Sequence, residues 1–268
     1  MIWIILILLL ILILVRIYYI QDITDYDYKC CLLTLPDSKV RREKFFKHHN
    51  KNIPVEVFYG EDTKIVKNAL KYEHIIDSKY FEKALEMYYN KNVIRPDVTY
   101  FNIGAIGCFM GHVNIMNECI KKGLKYALIM EDNIIIKSNK FYNEVQQVID
   151  ELGDNFEMCF FHCISRTPTE RKGNIEKVIW ISSMKCYLIN VQNMKKYMEY
   201  YLPIDNHVDN KTEHIISKGA RVFYKDLRHC LKIDRSGAST IGHSDHGNKK
   251  FFSKVRPSAT PDELSYGY

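Results

Sequence analysis

An apolar run, Tyr126-Ala-Leu-Ile-Met130, passes without a break into Glu131-Asp132-Asn133. A short apolar stretch bounded by Gly123 and a carboxylate pair suits a strand buried on both faces, the strand type of a parallel α/β sheet. Ahead of it, Ile103, Ile106, Met110, Val113, Met116 or Asn117, and Ile120 recur at helical spacing. Gly104, Gly107 and Gly111 punctuate the start of that helix, and Gly123 stops it. Open α/β sheets bind ligands just beyond the carboxyl ends of such strands. The arrangement suits a metal-bound, phosphate-bearing substrate.

The same reading predicts further strands at 30–35, 55–59, 158–163, 178–181 and 185–190. Helices are expected at 39–48, 141–152, 191–201 and 208–218, with short helices and loops around Pro96 between 60 and 100. Strand and helix alternate, so the expected fold class is α/β with a mainly parallel sheet and helices on both faces. A chain of 268 residues, 47% hydrophobic, buries one substantial core. One domain over 29–247 is therefore expected rather than two, followed by a tail at 248–268. No solenoid period or low-complexity linker divides it. The net charge of +6 is spread over Lys-rich helical faces, which argues against nucleic acid as a partner.

Met1 to Val15 is almost unbroken Ile, Leu, Val and Trp, and Ile17-Tyr-Tyr-Ile20 continues it beyond Arg16. This length spans a thin bilayer. A cleavable signal peptide would carry a basic start and a small-x-small site before Lys29, and neither is present. A transmembrane helix over 1–20 and a short stem over 21–28 are expected. Arg16 and Lys29 lie C-terminal to the span, so the positive-inside rule alone would put the domain in the cytoplasm. Eight cysteines stand at 30, 31, 108, 119, 159, 163, 186 and 230 with no zinc-finger spacing. Cys108, Cys159 and Cys163 read as small buried thiols, and Cys30-Cys31 as either core thiols or an oxidised pair in a lumenal domain. Asn210-Lys-Thr212 is a glycosylation sequon if the domain is lumenal.

The order of motifs resembles glycosyltransferase family 25, in which a run G-E-I-G-C-x-x-S-H precedes L-E-D-D. Here Gly104-Ala-Ile-Gly-Cys-Phe-Met-Gly-His112 and Leu128-Ile-Met-Glu131-Asp132-Asn133 stand in those places, departing at Ala105, Gly111, Met130 and Asn133. Leu33-Thr-Leu-Pro-Asp-Ser-Lys-Val-Arg41-Arg42 resembles the family's opening strand and turn, and Tyr187-Leu-Ile-Asn190 and Leu202-Pro-Ile-Asp205 its later Y-L-I-S and L-P-V-D segments. The resemblance implies a single Rossmann-like domain of GT-A form behind its transmembrane helix. It also implies a type II orientation in the lumen of the ER or Golgi, against the charge rule. The donor it implies is a UDP-hexose, UDP-galactose or UDP-glucose, used with Mn²⁺ and inversion. The acceptor would be a hydroxyl, on collagen-like hydroxylysine or a glycan.

On that resemblance Glu131, Asp132 and Asn133 stand at the donor diphosphate, with Asp132 and Asn133 as metal ligands. Asn133 offers an amide oxygen but no charge, so affinity for a hard cation should fall. Leu35 and Arg41 correspond to the edge that holds the nucleotide base. Gly104 and His112 are candidates for contact with donor or phosphate, and helix-to-sheet packing would give the same letters. Asp205 is placed either to take the proton from the acceptor hydroxyl or to cap the next helix. Asp209 follows one helical turn later, so both could face one site, with Asp209 otherwise a surface residue. His243, with Asp245 and His246, is a candidate to close over the donor and complete the metal shell, a mobile polar tail being the other reading of the same letters. Two other classes stay open: a binding protein that keeps the fold without catalysis, and a nucleotide-binding enzyme such as a nucleotidyltransferase, against which the L-P-I-D match stands.

Overall fold

The computed structural model describes residues 26–89, 101–234 and 236. The membrane segment 1–20, most of the stem, Pro96, His243 and the tail lie outside them. Among the described residues, no helix is long and apolar enough to cross a membrane.

In chain order the strands are β1 (Tyr28–Thr34), β2 (Val55–Tyr59), β3 (Tyr126–Glu131), β4 (Ile134–Ile136) and β5 (Met158–Phe160), then β6 (Arg166–Lys172), β7 (Ile175–Ile181), β8 (Cys186–Asn190), β9 (Val222–Lys225) and β10 (Leu231–Ile233). The helices are α1 (Lys39–His48), α2 (Val66–Leu70), α3 (Ser78–Tyr89), α4 (Ile103–Lys121), α5 (Lys140–Leu152), α6 (Val191–Met194) and α7 (Asn210–Ser217).

Among the described residues, eight strands form the central sheet in the order β2-β1-β3-β8-β5-β9-β7-β6, and β4 pairs with β10 in a small second sheet. Six of the eight run in one direction, with β7 and β8 opposed. The expectation of a mainly parallel sheet therefore holds for strand direction. The two reversed strands nonetheless make most neighbouring pairs antiparallel, and β8 divides the parallel group β2-β1-β3 from β5-β9.

Helices cover both faces because alternate residues of a strand point to opposite sides. Ala127 and Ile129 of β3 join Ile106, Phe109, Val113 and Met116 of α4 in one core layer. Tyr126, Leu128 and Met130 join Phe141, Val145 and Val148 of α5 in the other. Each Val, Leu, Ile, Phe or Met side chain among them, fully buried, contributes about 1.5–3 kcal/mol relative to staying in water. The alternation also decides where the strand's last residues go. Glu131 continues toward α4, and Asp132 turns to the side of α1.

Several boundaries differ from the sequence reading, each for a local reason. Tyr26 and Tyr28, assigned to the stem, pack on the domain: the Tyr28 hydroxyl donates to the Tyr142 carbonyl at 2.9 Å, and that of Tyr26 to Asn143 at 2.7 Å. The strand expected to reach Cys163 ends at Phe160, and the helix expected over 191–201 divides into α6 and a 3-10 turn, Lys195–Tyr201. The β6 strand was not foreseen because its residues are polar and nearly all exposed. It is an edge strand with Pro168 at a register shift, which discourages pairing with other chains.

Candidate active site

Parallel pairing sets Leu33 of β1 beside Glu131 of β3, so the carboxyl ends of the two strands lie together. Reversed β8 brings its own start to the same edge, where the Lys185 carbonyl accepts the Glu131 amide at 2.8 Å. The site is built around this edge.

Asp132 is buried, and both carboxylate oxygens are engaged. The Thr34 hydroxyl donates to Oδ2 at 2.6 Å, and Arg41 Nη1 lies 3.4 Å from Oδ1. Burial pushes its pKa up, and although the Thr34 hydrogen bond and the Arg41 charge pull it down, the net shift is upward. Glu131 is the opposite case. Burial raises its carboxyl too, but a hydrogen bond from His112 and the Lys185 charge outweigh that and hold it at about 2. Two adjacent carboxylates are thus pushed apart in acidity, a pattern found where charge is handled for chemistry.

His112 is fully buried, with Nε2 3.4 Å from Glu131 Oε1 and Nδ1 2.8 Å from the Tyr187 hydroxyl. Its place depends on glycine. At Gly111 a Cβ would meet the Leu33 side chain at 3.1 Å, so α4 lies close on the end of β1. At Gly107 a Cβ would come within 2.3 Å of the Glu61 carbonyl, which leaves no room for a side chain. Gly104 is buried in a first turn capped by Asn102, whose side chain accepts the Ala105 amide at 3.0 Å. That turn serves packing, and α4 reaches the site one turn later, through Cys108 and His112.

The pair Arg41-Arg42 divides its work. Arg41 reaches Asp132, whereas Arg42 turns back onto the carbonyls of Leu35 and Pro36. The Leu35 carbonyl also accepts the Ser38 amide at 3.0 Å, and the Thr34 carbonyl accepts the Gly60 amide at 2.8 Å. These bonds tie the end of β1 to α1 and to the end of β2. Asn133 has its side-chain oxygen buried without a hydrogen-bond partner.

Asp205 is half exposed and pairs with Lys211 Nζ at 2.7 Å. It does not cap the next helix. Asp209 does, accepting the Asn210 amide at 3.0 Å with one oxygen and the Ser183 amide at 2.7 Å with the other. Its negative charge also raises the Cys108 thiol, after burial and Glu131. Asp209 is thus half buried beside the site rather than on the open surface. Asn210 donates to Asn206 at 2.8 Å and Thr212 is fully buried, so the sequon lies within folded structure. All eight cysteines are free, Cys30 and Cys31 among the buried ones. Thr34 and Tyr187 stand in the sequence only as letters of the family-like segments and Lys185 carries no local signal, because each enters the site through pairing between distant strands.

The family model for glycosyltransferase family 25 (LPS biosynthesis protein) matches residues 29–229, well over half of the chain. The chain belongs to glycosyltransferase family 25. No curated protein matches it in sequence. Among solved structures, UDP-glucose pyrophosphorylase from Acinetobacter baumanii is similar at 10% identity and a TM-score of 0.43, covering 85% of this chain and 91% of that one. Mouse xyloside xylosyltransferase 1 in its apo form gives 9% identity, a TM-score of 0.40, and coverage of 75% and 84%. A197 from STIV gives 9%, 0.36, and coverage of 79% and 96%. These are distant likenesses, and the assignment to family 25 rests on the family match.

A pH test follows from the Glu131 environment. Its folded pKa of about 2 lies below the ordinary 4.5, so the stability it contributes is full above the ordinary value and fades as pH falls through about 2. The stability gap between wild type and Glu131→Gln, from urea titrations, should narrow between neutral pH and pH ~3. A gap that stays constant would show that the His112 and Lys185 contacts do not hold this carboxylate ionised.

Proposed function

We propose that this family 25 chain transfers a hexose, galactose or glucose, from a UDP-sugar to a hydroxyl acceptor with inversion, on a domain of GT-A form. The observation that carries this is the convergence of Glu131, Asp132, His112, Arg41 and Lys185 at the joined ends of β1 and β3, where open α/β sheets take ligands. Departure of the diphosphate concentrates negative charge, and Arg41, beside Asp132, and Lys185, whose charge acts on Glu131, are the candidate cations to meet it. Asp132 keeps Arg41 oriented through its ion pair. The acceptor hydroxyl must lose a proton as it attacks the anomeric carbon, and Asp205 is the candidate base. Its half-exposed carboxylate is oriented by Lys211, while Asp209 has both oxygens committed to backbone amides.

Mn²⁺ fits the donor set. Asp132 supplies one charge, and the unpartnered Asn133 oxygen is an acceptor that a cation would satisfy. Such an ion would stabilise the leaving diphosphate. His243, also proposed as a ligand, lies outside the described residues. Consumption of UDP-galactose or UDP-glucose that stops on chelation is the direct test of this reading. The neutral Asn133 favours one alternative, a binding protein that retains UDP affinity without turnover.

Residues 1–20 are proposed to anchor the chain as a type II membrane protein of the ER or Golgi, the domain facing the lumen and its hydroxylysine or glycan acceptors. The basis is the unbroken apolar run together with the family assignment. Full-length protein should stay in the membrane through carbonate extraction, and its domain should be protected from protease in sealed microsomes. Digestion of the domain in intact microsomes would reverse the orientation.

A further inference from the structure

Cys108, His112 and Glu131 each bring one ligand atom to within 4.8 Å of the others. Cys108 and His112 stand one helical turn apart on α4, and so share a face. Glu131 ends β3 opposite that face. The separation of 3.4 Å between His112 Nε2 and Glu131 Oε1 is close to the ~3.3 Å expected between two ligands bound at ~2.0 Å in a tetrahedron. Cys108 and Glu131 are only partly buried, which leaves a way in for an ion, while His112 between them is fully buried.

The second nitrogen of the histidine is also prepared. Metal-ligating histidines characteristically place it on a fixed partner that sets the tautomer. Here the partner is the Tyr187 hydroxyl, 2.8 Å from Nδ1 and itself wholly buried. A tyrosine hydroxyl both donates and accepts. It can donate to Nδ1 while Nε2–H faces Glu131, or accept from Nδ1–H while Nε2 turns its lone pair to a cation.

We propose that Cys108, His112 and Glu131 form a binding site for a borderline-soft divalent cation, zinc being the best match, with three protein ligands and one position left open. A thiolate, an imidazole and one carboxylate favour zinc over the hard cations Mn²⁺ and Mg²⁺. On binding, the Cys108 S–H bond breaks, its proton passes to buffer, and a sulfur–metal bond forms without change of oxidation state. The site is distinct from the oxygen ligands Asp132 and Asn133. Asp132 turns to the other side of the strand, toward Thr34 and Arg41. It does not depend on sugar transfer, since a chain without transferase activity would still bind the ion.

The test is Co²⁺ titration of the metal-free full chain in detergent, followed by absorption. The expected result is one equivalent bound, with a near-ultraviolet sulfur-to-cobalt charge-transfer band and the visible bands of tetrahedral cobalt. Zn²⁺ should displace it where equal Mn²⁺ does not. Cys108→Ser should lose the charge-transfer band, and Cys119→Ser should keep it. Tyr187→Phe preserves the packing and removes only the hydroxyl, so it should retain the band but weaken binding roughly 10–100-fold. The proposal is overturned if folded wild type gives no such band, if Cys108→Ser retains it, or if Mn²⁺ competes as well as Zn²⁺.

Discussion

Asp132→Ala should lower transfer by roughly a hundredfold or more while leaving the protein folded. The side chain is buried at the joined ends of β1 and β3, and its oxygens fix the Thr34 hydroxyl and the Arg41 guanidinium. Its loss removes a candidate metal ligand and one anchor of the Arg41 guanidinium. Arg41 is partly exposed and can turn to water, so the cost should fall on rate more than on folding. Asp132→Asn, which keeps the shape and removes the charge, should be nearly as impaired. Turnover numbers beside circular-dichroism melting curves check this. Near-normal transfer by a folded Asp132→Ala protein would move the active site elsewhere.

Asn133→Asp should lower the Mn²⁺ concentration that gives half-maximal activity by roughly tenfold or more. The wild-type oxygen is buried without a partner, so a cation can bind it, but an amide contributes only a dipole. A carboxylate adds a full charge at the same place. Without metal, that charge sits buried and unpaired, and the variant should melt below wild type. Adding Mn²⁺ should then restore the melting temperature, a result visible even in a preparation without turnover. Equal metal requirements in the two proteins would place the cation away from Asn133.

The parts legible in the sequence were those governed by local pattern. The limits of α1 and β2 and the start of α4 follow from periodicity and flanking turns, and both core layers follow from alternation along β3. The β4 and β10 strands escaped because three apolar residues carry too little period to distinguish a strand from a loop. The site was legible as a stretch of chain and illegible as an arrangement. Glu131-Asp132-Asn133 marked the strand end, but which carboxylate faces which helix depends on strand alternation plus the turn after β3. The choice between Arg41 and Arg42 required the direction of α1 across the sheet, since two neighbouring helical residues point about 100° apart. Lys185 and Tyr187 join the site only because β8 runs backwards beside β3, a pairing that no local signal encodes. The L-P-I-D segment drew attention to Asp205, while the capping role went to Asp209, four residues on, at the observed helix start.

A panel of UDP-sugars offered to the purified chain with Mn²⁺, scoring released UDP with and without chelator, decides whether the site turns over a donor. Slow release is expected from UDP-galactose or UDP-glucose, little from other donors, and none after chelation or in Asp132→Ala. Failure to consume any UDP-sugar, with no heat of UDP binding by calorimetry, would contradict the proposed transfer.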